Sequence, residues 1–196
     1  TNTTINTDDL SSPGGNDYIS INASANSNWN SWDNNNAEKS TAFGLSNTLV
    51  DLGAGADSLY LNANANGSGV LKAYGATNTT INTDDLSSPG GNDYISINAS
   101  ANSNWWDNPA EKSTAIAFDK STLNTGAGND QIHLNANATG AETYAYGALD
   151  SIINTGLGDD DLNIDTHINN DITSDPAVGL SNTLVDLGAG ADYLHL

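Results

Sequence analysis

Two long stretches of this chain occur twice. Residues 1–29 and 77–105 are the same sequence, TNTTINTDDLSSPGGNDYISINASANSNW, and residues 44–57 and 179–192 both read GLSNTLVDLGAGAD. Repetition on this scale restricts the fold strongly, because each copy must build the same supersecondary unit and bury its apolar face against its neighbours. A finer repeat underlies the blocks. Asp17, Asp57, Asp93, Asp130, Asp160 and Asp192 follow one another at spacings of 40, 36, 37, 30 and 32 residues. Two and four residues after each stands a large aliphatic pair: Ile19/Ile21, Leu59/Leu61, Ile95/Ile97, Ile132/Leu134, Leu162/Ile164 and Leu194/Leu196. Alanines continue the alternation at Ala23/Ala25, Ala63/Ala65, Ala99/Ala101 and Ala136/Ala138, and the fifth copy departs with Thr166/Ile168.

A period of two is a strand with one buried face. The other face carries Asn, Ser, Tyr, His and Asp and is expected to be exposed. A second short strand precedes each aspartate, as at Thr48–Val50, Thr122–Leu123 and Ser151–Ile153. The chain therefore reads as an all-β parallel solenoid of about six stacked coils, spanning 1–43, 44–76, 77–118, 119–148, 149–178 and 179–196. Each coil is strand, glycine turn, strand and variable return. Within the returns, a helical turn is expected only at 37–42 and 110–117. The Asn-Ala-Asn-Ala segments are expected to form amide ladders along the axis. Tyr74-Gly-Ala76 and Tyr146-Gly-Ala148 recur at equivalent places and are expected to stack in the same way.

Charge decides which partners are compatible. The 24 acidic residues (21 Asp and 3 Glu) face only four basic ones, all lysine, for a formal net charge of −20. Aspartate favours turns, and glutamate favours helices. Such a surface repels nucleic-acid phosphate and anionic lipid and accepts cations. There is no cysteine, which excludes disulfides and thiolate metal sites. No run of 18 apolar residues is present, so no membrane-spanning helix is expected. The absence of an initial Met is compatible with a processed chain or a piece of a longer repeat array.

Four turns read Gly-x-Gly-x-Asp: Gly53/Gly55/Asp57, Gly126/Gly128/Asp130, Gly156/Gly158/Asp160 and Gly188/Gly190/Asp192. Glycine permits positive φ, and carbonyl plus carboxylate oxygens are the ligands Ca²⁺ takes. Stacked coils place successive turns about 4.8 Å apart. Two bare carboxylates at that distance repel by roughly 3 kcal/mol at an effective dielectric near 20. Four lysines cannot neutralise such a column, whereas divalent cations between the turns would.

These turns resemble the RTX (repeats-in-toxin) nonapeptide, Gly-Gly-x-Gly-x-Asp-x-aliphatic-x. Thr125-Gly-Ala-Gly-Asn-Asp-Gln-Ile-His133 matches it except for Thr at the first glycine. Thr155 makes the same departure, and Leu52 and Leu187 stand there in the other two turns. The resemblance implies a parallel β-roll with Ca²⁺ held between turns. The Gly and Asp residues named above would be its ligands, the glycines through backbone carbonyls. Asp17 and Asp93 belong to the same set, although their turns carry about five inserted residues. Their neighbours Asp8/Asp9 and Asp84/Asp85 are further candidates. RTX rolls carry a glycine turn about every nine residues on both edges, whereas here it comes once per coil. One edge would be a calcium ladder and the other needs different glue.

The function read from this pattern is structural: a secreted, calcium-stabilised solenoid in a surface filament, matrix or surface layer, with copies of itself as partners. The rival is a polysaccharide-binding adhesin segment using Trp29, Trp32, Trp105 and Trp106 in the long returns. His133 and His195 share one exposed strand position and are expected to be solvated rather than to bind zinc. The Thr-rich stretch from Thr1 to Thr7, matched only at Thr77 to Thr83, is a weak hint of ice binding. No arginine, no cysteine and no unique cluster breaks the repeat, so no active site is expected.

Overall fold

In the computed structural model the chain is all β, and residues 3–7, 14–27, 39–84, 90–103, 112–169 and 176–196 are described. Their strands form three parallel sheets, one on each side of a coil. Coil 1 contributes β1 (Thr3–Asn6), β2 (Tyr18–Asn26) and β3 (Lys39–Ser46). Coil 2 contributes β4 (Thr48–Asp51), β5 (Ser58–Gly67) and β6 (Val70–Thr77). Coil 3 holds β7 (Thr80–Asn82), β8 (Tyr94–Ser103) and β9 (Lys112–Asp119). Coil 4 holds β10 (Thr122–Asn124), β11 (Gln131–Thr139) and β12 (Glu142–Leu149). Coil 5 holds β13 (Ile152–Asn154), β14 (Asp161–Asn169) and β15 (Ala177–Ser181), and coil 6 holds β16 (Leu184–Asp186) and β17 (Tyr193–His195). The first strands of the coils stack as sheet A, the second as sheet B and the third as sheet C. This is a parallel β-solenoid. No helix among the described residues is long and apolar enough to cross a membrane.

The register follows the sequence repeat. In sheet B, Ile19, Leu59, Ile95, Ile132, Leu162 and Leu194 fall in one column, and Ile21, Leu61, Ile97, Leu134 and Ile164 in the next. In sheet A the inward column is Ile5, Val50, Ile81, Leu123, Ile153 and Val185. These columns meet inside the coil with the inward residues of sheet C, among them Leu71, Ala73 and Phe118, to form one continuous core. Each fully buried Leu or Ile contributes about 1.5–3 kcal/mol relative to exposure, and that burial holds the layers together.

Sheet C differs from the return expected between coils. It is a regular ladder, and its strands Lys39–Ser46 and Lys112–Asp119 are extended over the described parts, 39–42 and 112–117, of the helical turns expected at 37–42 and 110–117. Both strands pair in parallel with β6, and ladder pairing with fixed neighbours overrides the weak local helical tendency. The pairing passes over Gly44, Gly75, Ala117 and Gly147, so inward residues change phase there: Leu71 and Ala73 precede the break and Ala76 follows it, all buried. Gly75 sits on the interior, where an added Cβ would overlap the Ile97 side chain and the Ala117 carbonyl. Tyr74 stacks on Phe43 with ring centroids 5.2 Å apart. It does not stack on Tyr146, because Ile116 lies between them in the register.

Sheet C passes into sheet A through a one-residue corner in the left-handed region: Asn47, Asn78, Lys120, Asp150 and Asn182, with φ of 52°, 48°, 47°, 51° and 47°. The residue after each corner is Ser or Thr. Its hydroxyl donates to the carbonyl two residues back, as from Thr48 to Ser46 (3.0 Å), Ser121 to Asp119 (2.6 Å) and Ser151 to Leu149 (2.7 Å). The same oxygen accepts an amide from the neighbouring coil, Thr79 N–H to Ser121 (3.0 Å) and Ser121 N–H to Ser151 (3.2 Å). Asparagine ladders run along the outer faces. Asn62 donates to Asn22 (2.9 Å), Asn98 to Asn62 (3.0 Å), Asn124 to Asn82 (2.8 Å) and Asn154 to Asn124 (2.9 Å). This amide glue is the one expected from the Asn-Ala repeats, and it extends to sheet A as well.

Candidate metal-binding turns and the aspartate file

The glycine turns connect sheet A to sheet B. Every glycine of the four Gly-x-Gly-x-Asp turns has positive φ, from 76° at Gly188 to 159° at Gly190. Side chains other than glycine rarely adopt this conformation. The turns of coils 4, 5 and 6 stack directly on one another. Leu157 N–H donates to Gly126 O (2.8 Å) and Gly128 N–H to Leu157 O (2.7 Å), and the next coil repeats this with Ala189 N–H to Gly156 O (2.9 Å) and Gly158 N–H to Ala189 O (3.0 Å). The carbonyls of Gly126 and Gly156 thus each accept one hydrogen bond along the axis.

The aspartates form a single file at this edge. Asp57 Oδ1 accepts from Asp17 N–H (2.7 Å), Asp93 from Asp57 (2.9 Å), Asp130 from Asp93 (2.8 Å), Asp160 from Asp130 (2.9 Å) and Asp192 from Asp160 (3.1 Å). Each carboxylate therefore binds the backbone of the coil before it. One residue earlier a second file runs the other way. Asn16 accepts from Ala56 N–H (3.0 Å), Asn92 from Asn129 (2.8 Å), Asn129 from Asp159 (2.9 Å) and Asp159 from Ala191 (2.8 Å).

The file is buried. Asp57, Asp93, Asp130 and Asp160 are all at most 2% exposed. Their second oxygens have few partners: Asp93 Oδ2 accepts from the Thr83 hydroxyl, while Oδ2 of Asp17, Asp130 and Asp160 has no hydrogen-bond partner. Burial pushes the Asp93 carboxyl up to about 8, against the hydrogen bonds from Thr83 and Asp57 that lower it. It pushes Asp130 up to about 6. Asp84 joins them from the inserted segment. Its Oδ2 accepts from Ala127 N–H (3.0 Å), its Oδ1 is buried without a partner, and burial raises its pKa as well. Asp8, Asp9 and Asp85 lie outside the described residues, as do Trp29, Trp32, Trp105 and Trp106.

No lysine answers this charge. Among the described residues Lys112 pairs with Glu142 (2.6 Å) and Lys120 with Asp119 (3.2 Å), both away from the turns. No three His, Cys, Asp or Glu side chains among the described residues converge on a metal position. A cation at the turns would therefore draw its remaining ligands from main-chain carbonyls, whose oxygens carry a second lone pair beyond the bonds already made. His133 lies against Tyr94 with centroids 5.5 Å apart, and His195 Nε2 is 3.8 Å from Asp161 Oδ1.

The threonines standing at the first glycine position of the nonapeptide have a role that sequence reading missed. Thr125 donates to Thr155 O (3.0 Å) and Thr155 to Leu187 O (2.9 Å), both from fully buried side chains. They tie coil to coil beside the carboxylates. The second file, through Asn16, Asn92, Asn129 and Asp159, was also missed. Its signal was the Asn-Asp or Asp-Asp pair in four of the six turns, where the first residue looked like plain turn chemistry.

The raised carboxyls give a pH dependence of unusual sign. A group whose folded pKa lies above its unfolded value stabilises the fold below the unfolded pKa, and that stability is lost as pH rises through the folded pKa. With chelator present, the melting temperature should fall from pH 4 to pH 8, with Asp130 acting near pH 6 and Asp93 near pH 8. Asp93→Asn should flatten the upper part of that slope. A melting temperature that rises over this range would contradict the buried-carboxyl account.

Comparison with known proteins found no matching family model, no matching curated protein and no matching solved structure.

Proposed function

We propose that this chain is a structural element of an extracellular filament, matrix or surface layer: a solenoid stabilised by Ca²⁺ along its glycine edge and assembling with copies of itself. The observation that carries this reading is the buried aspartate file. It holds unpartnered oxygens at Asp17, Asp130 and Asp160, and no lysine is within ion-pair reach of it. Isolated buried carboxylates are costly unless a proton or a cation joins them. The ligands would be Asp17, Asp57, Asp93, Asp130, Asp160 and Asp192, completed by carbonyls of Gly53, Gly55, Gly126, Gly128, Gly156, Gly158, Gly188 and Gly190. This is the set that the RTX resemblance implies. Folding would then be coupled to metal, and external millimolar Ca²⁺ suits a low-affinity site of this kind.

The test is circular dichroism in chelator, followed by titration with Ca²⁺ and, separately, with Mg²⁺. The β signal is expected to strengthen with Ca²⁺ at neutral pH, and Mg²⁺, which demands tighter octahedral geometry, should do less. A β signal and melting temperature indifferent to chelator would remove calcium from the reading and leave a charge-burdened solenoid held by its core and amide ladders.

A further inference from the structure

The first and last coils of residues 1–196 carry sequences that already meet inside the stack. Coil 6 repeats coil 2 through residues 179–192, and coil 1 repeats coil 3 through residues 1–29. Coils 2 and 3 are neighbours: Leu49 pairs with Thr80, Val50 with Ile81 and Asp51 with Asn82 in sheet A, and Ser58, Leu59 and Tyr60 pair with Tyr94, Ile95 and Ser96 in sheet B. We propose that coil 6 of one copy seats head to tail on coil 1 of a second copy, in the pairing that coil 2 makes with coil 3. This deepens the self-assembling reading above and rests on it.

Transferring the internal junction residue by residue puts Leu184 against Thr4, Val185 against Ile5 and Leu194 against Ile19 of the next copy. Asp192 N–H would donate to Asp17, as Asp57 N–H donates to Asp93 at 2.9 Å. Two features of these coils agree. Tyr18, Leu184 and Tyr193 are 70%, 61% and 62% exposed at the edges that would meet. At Gly91 an added Cβ would overlap the Gly55 carbonyl of the coil before it, yet at Gly15, the same residue of coil 1, nothing lies within 4 Å. The glycine that the stack requires at Gly91 has no such need at Gly15 until another coil covers it. Within residues 1–196 coil 6 comprises β16, the turn and β17, so the contact spans sheet A, the glycine turn and the start of sheet B.

Because the chain has no cysteine, the register can be tested directly. In the Thr4→Cys/Leu184→Cys chain the two thiols would face each other between copies at the strand spacing of about 4.8 Å, inside the disulfide range of about 4.4–6.8 Å. Within one copy they lie five coils apart, about 24 Å, and cannot bridge. Mild oxidation in Ca²⁺ should give a ladder of disulfide-linked oligomers. Each single variant should give no ladder and no dimer, and Asn6→Cys/Leu184→Cys, two residues out of register, should give little. Dimers from a single variant would mean that like ends meet and would overturn the proposal, as would a double variant that stays monomeric. Gly15→Ala should leave the circular dichroism of the single chain unchanged and abolish association in sedimentation velocity. Wild-type chain sedimenting as a monomer at every concentration overturns the junction even if the cysteine variants misfold. Folding by Ca²⁺ without association sinks the junction alone. In-register cross-linking with a β signal that ignores chelator sinks the calcium reading alone.

Discussion

Gly158→Val should be among the most damaging single changes in this chain. Gly158 has φ of 136°, and a Cβ placed there would overlap the Gly128 carbonyl of coil 4. Holding a branched residue in that region costs about 1–3 kcal/mol of backbone strain. The overlap then forces the turns of coils 4 and 5 apart, which costs about a further 1–3 kcal/mol, as overpacking does. Separation would also stretch the bond from Gly128 N–H to Leu157 O (2.7 Å) and the file bond from Asp130 N–H to Asp160 (2.9 Å). Against a total stability of about 5–15 kcal/mol for an ordinary domain, this is enough to unfold the central coils. Urea unfolding followed by circular dichroism would measure it. The internal control is Gly15→Ala, which meets open space and should shift single-chain stability by no more than about 0.5 kcal/mol. Equal effects at the two sites would mean that the stacked carbonyls do not hold the turns.

Asp130→Asn should change sign with calcium. The substitution keeps an Oδ1 that can accept from Asp93 N–H, now 2.8 Å away, and removes a charge from a side chain that is fully buried. In chelator at pH 8 the wild-type carboxyl is ionised above its raised pKa of about 6. Neutralising it there should stabilise the chain by about 1–3 kcal/mol, the range for relieving a buried group left unsatisfied. In saturating Ca²⁺ the same change deletes a proposed ligand, so the variant should gain less from the metal than wild type and melt below it. Thermal melts of both chains, with and without Ca²⁺, give the four values needed. A variant more stable than wild type in both conditions would take Asp130 out of the ligand set. A variant less stable in both would assign it a purely structural hydrogen-bonding role.

The strand-and-turn plan was legible because its signal is local and repeated. Pairs such as Ile19/Ile21 and Leu59/Leu61 alternate strictly, and counting from each aspartate places them in one register, which the sheet B pairing reproduces. Sheet C was not legible for an equally local reason. Its inward residues are of mixed size, from Ala73 and Ala76 to Leu71 and Phe118, and its alternation changes phase at Gly75, so a period-two search breaks in the middle of the strand. The corners at Asn47 and Asn78 read as ordinary turn residues, yet they turn sheet C into sheet A. The candidate site was half legible. Glycine and aspartate positions stood out, but whether a carboxylate faces the solvent or the coil interior depends on how neighbouring coils offer their amides. A single copy of the motif does not contain that information. The donor for Asp130 is an amide 37 residues away, and Asp84 enters from an inserted segment that shares no motif with the other turns.

The register has a mechanical consequence. Among the described residues each layer's strands pair with those of the layers above and below it, and residues 3 and 196 belong to the first and last coils. Tension applied between them would peel the molecule from an end rather than shear it as a whole, one turn of chain per rupture. Each rupture would free the 30 to 40 residues that separate successive aspartates, a contour gain of roughly 100–140 Å at about 3.4 Å per residue. The inserted lengths in the sequence would thus be written as unequal steps in a force–extension trace, short for coils 4 and 5 and long for coil 1. A fibre made of such units would yield gradually under load and keep most of its layers intact.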